Sequence, residues 1–199
     1  MIGIIDYGAG NLDSVKKIFD HIGAKNTIIS SSREFKKIRK LVFPGVGAYG
    51  PAMKMLRFSG LYDKIADWLE ANRPFLGICL GMQLLFESSP EAKNTKGFGF
   101  FKGHCQRFRA YKVPQIGWNQ ISFKKRTALL TGIKDDAFFY FLHSYYLMPE
   151  DRDIITARTS YGVEYTSIIT AGNIYAVQFH PEKSGRAGIK LLKNWVEKC

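Results

Sequence analysis

The sequence contains few cysteines and no long apolar run. Its 199 residues include three cysteines, Cys79, Cys105 and Cys199, an odd number without the spacing of metal ligands, so we expect reduced thiols, no disulfide framework and no bound metal. No stretch approaches the roughly 20 apolar residues that a membrane-spanning helix needs. The first residues enter an apolar strand pattern without a basic export signal, which predicts a cytoplasmic protein that does not associate with membranes.

Acidic residues are also scarce, with 17 Asp and Glu against 29 Lys and Arg, for a net charge of +12. Basic clusters lie at residues 36–40 and 124–126. A nucleic-acid interface would need these charges on one face with interleaved aromatic side chains. The first cluster instead precedes the apolar residues 41–43, as the solvated end of an element does, so we expect no nucleic-acid binding. An acidic protein partner, or an anionic substrate carried by that partner, accounts for the charge as well.

The first half of the chain alternates between strand and helix patterns. Strands are predicted at residues 2–6, 27–29, 40–43 and 75–78, and helices at residues 11–22, 49–58 and 61–70. This alternation predicts an α/β fold with a parallel sheet between two layers of helices. Residues 97–177 carry short aromatic and β-branched runs, which favour antiparallel strands, and a helix is predicted at 186–196. Since no linker or repeat interrupts the chain, we expect one domain over residues 1–199.

Cys79 follows a predicted buried strand and precedes a helical pattern over residues 82–87. Gly77 and Gly81 flank it, and small neighbours are what a nucleophile on a sharp strand-to-helix turn requires. The N-terminus of the predicted helix also favours the thiolate. Taken alone, the pattern fits a buried structural cysteine equally well.

His180 is the candidate base for such a nucleophile. It ends the apolar stretch 176–179 and is followed by Pro181 and Glu182. Proline favours an extended conformation at the preceding residue, and Glu182 can accept the imidazole N–H, which leaves the other ring nitrogen for the thiol proton. The histidines at positions 21 and 104 are expected at the surface. Together with Cys79, these residues satisfy the pattern of nucleophile, base and orienting group.

Acyl transfer from a thiolate also needs hydrogen-bond donors for the oxyanion. The N–H of Leu80 directly follows the nucleophile, as in other elbows of this kind. The glycine-rich residues 44–47 follow another predicted strand and can present a second backbone N–H; the alternative for this segment is a plain turn.

These motifs carry a family resemblance. Residues 77–83 and 178–182 resemble the class I (triad) glutamine amidotransferases, and four more segments resemble the glutaminase subunits of imidazole glycerol phosphate synthase within that class: residues 6–12, 44–48, 117–119 and 143–146. The similarity runs from about residue 2 to residue 192. It implies a flavodoxin-like α/β fold, with a central, mostly parallel sheet flanked by helices and an additional antiparallel portion.

The resemblance also implies a role for individual residues and no cofactor. The triad comprises Cys79 as nucleophile, His180 as base and acid, and Glu182 as orienting group. The oxyanion donors are Leu80 and Val46, whose peptide is expected to flip on activation. The residues expected to hold glutamine are Gly47, Gln83, Ser144 and Tyr145. The residues expected to face the partner are Asn11 and Trp118.

The implied partner is a synthase subunit of the TIM-barrel type, in a heterodimer that channels ammonia to make imidazole glycerol phosphate in histidine biosynthesis. Some segments depart from the pattern, including residues 104–106, Ile116 and the strong positive charge. They leave open a paralogue that supplies ammonia for the amidation of a surface sugar. Two alternatives from other classes are a free-standing cysteine hydrolase or peptidase, and a non-catalytic interaction subunit.

Overall fold

A computed structural model describes residues 1–8, 11–109 and 112–199. Strands β1 to β13 comprise Ile2–Ile5, Asn26–Ile29, Lys40–Phe43, Phe75–Ile78, Phe86–Ser88, Phe101–Arg107, Gln115–Gln120, Ser122–Phe123, Phe138–His143, Tyr145–Pro149, Ile155–Ser160, Glu164–Ala171 and Ile174–Val177. Helices α1 to α5 comprise Leu12–His21, Tyr49–Phe58, Leu61–Glu70, Leu80–Gln83 and Gly185–Lys198. Short 3₁₀ helices comprise Ser32–Lys37, Pro90–Ala92, Ala128–Leu130 and Pro181–Lys183.

One large sheet organises the fold, in the order β2-β1-β3-β4-β13-β12-β10-β6-β5, with β11 paired to β12 and β8 to β11. The strands from β2 to β13 in this order are parallel. Antiparallel pairing continues the sheet through β12, β10 and β6. Strands β7 and β9 form a separate antiparallel pair. The predicted fold class, a parallel sheet with an antiparallel addition, is therefore confirmed.

Helices cover both faces of the parallel strands. Leu41 and Phe43 of β3 pack with α2 and α3, whereas Val42, between them, packs with α1 and α5. This alternation follows from the two-residue period of a strand. Because both faces are buried, the ends of the strands are where polar side chains can meet a ligand.

The helix predicted after Cys79 is shorter than the sequence pattern indicates. It ends at Gln83, and residues 86–88 form β5 instead, so the prediction of helix through residue 87 is wrong. The carbonyl oxygens of Leu84 and Leu85 accept hydrogen bonds from the N–H groups of Phe98 and Phe101, at 2.8 and 3.1 Å. These tertiary partners replace those of a continued helix. A helix of one turn also has a smaller dipole than the sequence pattern predicts.

Elsewhere the elements agree closely with the predicted ranges. Strands β3 and β4 and helices α2 and α3 have the predicted bounds. His21 and His104 are exposed, as expected. Ala9 and Gly10, in the segment 6–12 that carries part of the resemblance, lie outside the described residues. Within the described ranges, no helix combines the length and the apolar character needed to span a membrane.

Candidate active site

Two neighbouring parallel strands bring Cys79 and His180 to one edge of the sheet. Val177 of β13 is paired with Ile78 of β4, and the N–H of Cys79 donates to the carbonyl of Val177 at 2.7 Å. Cys79 is the first residue after β4, and His180 is the third after β13. Residues about 100 positions apart in the sequence therefore meet because their strands are adjacent and point the same way.

Cys79 occupies an unusual backbone conformation. Its φ of 49° and ψ of −103° lie outside the regions that residues with a Cβ prefer. There is no room for a side chain at the two neighbouring glycines. A Cβ on Gly81 would lie 2.3 Å from the carbonyl oxygen of Phe43, and a Cβ on Gly77 would lie 2.8 Å from the carbonyl oxygen of Gly81. The chain thus makes a sharp, strained turn at the cysteine, the geometry of a nucleophile elbow.

His180 and Glu182 form a buried pair. Nδ1 of His180 lies 2.8 Å from Oε1 of Glu182, and both side chains are 1% exposed. The N–H of His180 donates to the carbonyl of Tyr140 at 2.8 Å, and its own carbonyl accepts from the Ser184 hydroxyl at 2.6 Å. Both sides of the backbone are therefore fixed, which sets the direction of the ring.

The charges around His180 favour its protonated form. Burial opposes protonation, but the thiolate charge of Cys79 and then the Glu182 carboxylate outweigh it and raise the pKa of His180 to about 10. Within residues 1–8, 11–109 and 112–199, Nε2 makes no hydrogen bond of normal geometry, and the Cys79 sulfur is the group close enough to act on it. This nitrogen is therefore free to exchange a proton with a group bound near the sulfur.

A cavity of about 280 Å³ opens beside the sulfur. Its lining includes most of the residues that the resemblance assigns to the oxyanion and to the substrate: Val46, Gly47, Cys79, Leu80, Gln83, Ser144 and Tyr145. The side chains of His180 and Glu182 are buried and are not among the lining residues. A cavity of this size suits a small molecule such as an amino acid.

Tyr145 presents its backbone carbonyl to two side chains at the cavity wall. The oxygen accepts from Nε2 of Gln83 at 3.0 Å and from Nδ1 of His143 at 2.8 Å. Burial lowers the pKa of His143 to about 4, so the ring is neutral and its proton is on Nδ1, facing the carbonyl. This carbonyl is thereby held in one orientation.

Tyr7 holds the glycine-rich loop of residues 44–47 against the elbow. Its hydroxyl is 2.6 Å from the carbonyl oxygen of Val46 and 3.3 Å from that of Pro44. Burial raises the pKa of Tyr7 well above its ordinary value, so the hydroxyl is a permanent donor. The loop is close to the elbow, because a Cβ on Gly45 would lie 2.5 Å from the N atom of Leu80.

The cavity wall includes residues to which sequence reasoning gave no role, among them Glu91, Leu142 and His143. Oε2 of Glu91 accepts from the N–H of Tyr49 at 3.1 Å, and the carbonyl oxygen of Leu142 is 3.8 Å from Sγ of Cys79. Glu91 gives the wall a negative charge. The sequence offers no local signal for Glu91 or Leu142, since each depends on a tertiary contact.

The two residues expected at a partner interface lie outside the cavity wall. Trp118 is 55% exposed, and Ile116 and Phe138 are exposed to the same extent. The pairing of β7 with β9 places these three side chains on one side of the strand pair. We call them the β7–β9 face. Asn11 is partly buried and directly precedes α1.

Comparison with known proteins agrees with this architecture. The family model described as "Glutamine amidotransferase class-I" matches residues 3–199. A relative from Caldanaerobacter subterraneus subsp. tengcongensis, named "Imidazole glycerol phosphate synthase subunit HisH", is 46% identical over 202 residues, covering 100% of both chains. A relative of the same name from Methanocaldococcus jannaschii is 46% identical over 198 residues, covering 99% of each chain.

Solved structures share the fold at low sequence identity. PurLQS from Thermotoga maritima matches with a TM-score of 0.80 at 17% identity, over 98% of this chain and 96% of that one. A structure described as a glutamine amidotransferase matches with a TM-score of 0.75 at 16% identity, over 98% and 97% of the two chains. The match of the family model over nearly all residues, with full-length relatives at this identity, places the chain in one family: it belongs to the class I glutamine amidotransferases.

Proposed function

We propose that this chain is the glutaminase subunit of an imidazole glycerol phosphate synthase and acts as a single domain over residues 1–199. The observation that carries the proposal is the strained elbow at Cys79, which opens on a small cavity and adjoins the buried His180–Glu182 pair. The full-length relatives that bear the synthase name support the substrate and the pathway.

The proposed reaction is the hydrolysis of glutamine to glutamate and ammonia. The thiolate of Cys79 attacks the side-chain amide carbon, and the oxyanion receives hydrogen bonds from the N–H groups of Leu80 and Val46. Nε2 of protonated His180 gives its proton to the amide nitrogen as the carbon–nitrogen bond breaks. Water then attacks the thioester, and His180 takes a proton from that water as the thiolate leaves. Glu182 keeps Nδ1 protonated throughout.

Substrate binding is assigned to the cavity wall. Both N–H bonds of the Gln83 amide are directed to Tyr145 and Gln178, so its oxygen is the atom left for the ammonium group of an amino acid. Glu91 supplies a full negative charge for the same group. Gly47, Ser144 and Tyr145 hold the remainder of the substrate through backbone and side-chain contacts.

The proposed partner is a synthase subunit of the TIM-barrel type, docked on the β7–β9 face and Asn11. Exposed, contiguous apolar side chains are typical of such a surface. Leu142 of β9 connects this face to the site, because its carbonyl oxygen lies 3.8 Å from the nucleophilic sulfur. Ammonia released at Cys79 would therefore arise next to a strand of the proposed interface.

The proposal also accounts for slow turnover by the isolated subunit. In the structure the Tyr7 hydroxyl bonds the carbonyls of Pro44 and Val46. These carbonyls belong to the two peptides on either side of the Gly45–Val46 peptide that carries the Val46 N–H, so Tyr7 restrains a change in the orientation of that peptide. Docking of the partner is proposed to supply the free energy for this change. The paralogue that amidates a surface sugar remains the alternative, and the names of the full-length relatives favour the histidine pathway over it.

The catalytic part of the proposal is tested with Cys79→Ala and the matched variant Cys105→Ala. Cys105 is also buried but lies in β6, away from the cavity lining. We expect Cys79→Ala to abolish glutamine hydrolysis, measured as glutamate released in the presence of the synthase subunit, while ammonia-dependent synthesis by the complex continues. Cys105→Ala should keep glutamine hydrolysis. Near-normal turnover by Cys79→Ala would refute the assignment.

The interface is tested with Trp118→Ala and the control Phe58→Ala. Phe58 is 87% exposed at the end of α2, away from the β7–β9 face. Loss of a central aromatic side chain should weaken binding to the synthase subunit about tenfold or more, as measured by calorimetry. The control should bind as the wild type does; equal loss in both variants, or in neither, would contradict this docking face.

A further inference from the structure

The side chain of a glutamine other than Gln83 contacts the sulfur of Cys79. Gln178 follows β13 directly and is fully buried. Its Nε2 lies 3.5 Å from Sγ of Cys79, and its Oε1 accepts from Nε2 of Gln83 at 3.2 Å. The backbone N–H of Gln178 donates to the carbonyl of Ser167 at 2.9 Å. The side chain is therefore anchored at both ends beside the nucleophile.

The orientation of the Gln178 amide is determined by its neighbours. A backbone carbonyl can only accept, so Gln83 must turn its NH₂ group toward the carbonyl of Tyr145. The same NH₂ group faces Gln178, which must then present its oxygen to Gln83 and its own NH₂ group to the sulfur. A flip of either amide would place two donors or two acceptors face to face. The carbonyl of Tyr145 therefore sets the orientation of the Gln83 amide, which sets that of the Gln178 amide, and the NH₂ group of Gln178 is directed at the sulfur of Cys79.

An N–H group directed at this sulfur favours the thiolate over the thiol. A hydrogen bond to the charged form of a group favours that form, and bonds to an anion are stronger than bonds between neutral groups. The carbonyl oxygen of Leu142, 3.8 Å from Sγ, acts in the opposite sense. Within the described part of the chain, the sulfur is the only hydrogen-bond partner of Nε2 of Gln178.

Other titratable groups that interact with the charge on Cys79 cannot take the place of the Gln178 N–H. Burial raises the pKa values of Tyr7, Cys105 and Tyr165 above their ordinary ranges, so these groups are neutral. Protonated His180 supplies a positive charge, but in the reaction it must give its proton away. Gln178 keeps its hydrogens throughout the cycle.

We propose that Gln178 stabilises the thiolate of Cys79 and fixes its direction, and that Gln83 and the carbonyl of Tyr145 keep the Gln178 amide in the required orientation. The proposal rests on the proposed glutaminase function. It assigns Gln178 a contact with the reacting sulfur, and it assigns Gln83 a second task beyond substrate binding. The site would hold its nucleophile ready before glutamine arrives.

The test is the pH dependence of alkylation of Cys79 by iodoacetamide in the full chain, without glutamine, with modification located by mass spectrometry. Gln178→Met removes the donor. Gln178→Glu keeps an acceptor for Gln83 but presents no N–H to the sulfur. Asn194→Leu is the matched control, because Asn194 is also fully buried and its amide donates only to the carbonyls of Leu129 and Thr131.

For Gln178→Met we expect the alkylation profile to move upward by about one pH unit, the effect of one hydrogen bond to a charged group. Gln178→Glu should move it at least as far. The kcat for glutamine should fall in parallel in both variants. KM should change little in Gln178→Glu, which keeps the acceptor that holds the amide of Gln83. Asn194→Leu should lower thermal stability without moving the profile.

An alkylation profile unchanged in the Gln178 variants would overturn the proposal, even if their thermal stability fell as in the control. If neither variant folds, Gln83→Met decides, since the Gln178 amide then loses its fixed orientation and the profile should still move upward; no movement there also overturns the proposal. The Cys79→Ala variant distinguishes failure of the proposed glutaminase function from failure of the inference about Gln178. Retained glutamine turnover in Cys79→Ala refutes the glutaminase itself, whereas normal Gln178 variants beside an inactive Cys79→Ala refute the inference alone.

Discussion

The strained backbone at Cys79 leads to an unusual prediction: replacing this residue with glycine should destabilise the protein less than replacing it with alanine. The φ of 49° and ψ of −103° lie outside the left-handed helical region that a residue with a Cβ sometimes adopts. Glycine reaches this conformation without strain. Both substitutions remove the thiol, so their comparison isolates the backbone contribution from the chemistry of the sulfur.

The size of the effect follows from three contributions. Strain in such a conformation costs a residue with a Cβ about 3 kcal/mol at the upper end of the usual range. Glycine loses more conformational entropy on folding than alanine, which costs about 0.7 kcal/mol. Glycine also lacks one buried methyl group, worth about 0.8 kcal/mol. The glycine variant should therefore be the more stable by about 1.5 kcal/mol, or about 3–6 °C in melting temperature for a chain of this length.

Urea and thermal unfolding of the two variants measure this difference. Cys105 provides the control, because it is also buried but lies in strand β6, and its own φ is not positive. There the order should reverse, with Cys105→Gly less stable than Cys105→Ala by about 1.5 kcal/mol. An alanine variant at position 79 that is more stable than the glycine variant by about 1.5 kcal/mol, the difference expected without strain, would show that the turn stores none.

Further predictions concern pH and the loop beside the elbow. Because the pKa of His180 is raised to about 10, the stabilising effect of its protonated form is complete below a pH of about 6.5 and is lost as the pH rises toward 10. The difference in free energy of unfolding between wild type and Glu182→Gln, measured in urea, should therefore become smaller over that range. A difference that stays constant with pH would contradict this. The pKa of His143 is lowered to about 4, so its contribution is lost as the pH falls from about 6.5 to 4, and His143→Gln should lose less stability than wild type over that interval. Gly45→Ala should lower kcat for glutamine, because its Cβ would lie 1.7 Å from a backbone carbonyl oxygen of the elbow; Gly23→Ala, with open space around it, should not.

Local signals in the sequence were sufficient to predict much of the fold. The bounds of β3, β4, α2 and α3 follow from short apolar runs and from helical periodicity, and the structure has the same bounds. The cysteine between two glycines indicated the turn at the end of β4. In each case, neighbouring residues determine the backbone, so little knowledge of the tertiary structure was needed.

Features that depend on distant partners were not predicted. Strand β5 forms because Phe86 and Ser88 pair with Phe101 and His104 of β6, which outweighs the helical propensity of the segment. Gln178 was part of a motif, but the sequence gave no sign that its amide meets the sulfur. The same holds for Leu142 and His143, whose places at the cavity depend on the position of β9 beside the elbow.

The position of β13 has a consequence for the order in which the molecule can become active. This strand joins the parallel half of the sheet to the antiparallel half, between β4 and β12, yet it is the last strand in the chain. A nascent chain that has emerged only as far as β12 already contains Cys79 but lacks His180 and Glu182. Insertion of β13 joins the two halves of the sheet and brings His180 next to the strand that carries Cys79, so we expect no glutamine hydrolysis before this strand is in place. The appearance of activity during refolding should therefore report closure of the whole sheet.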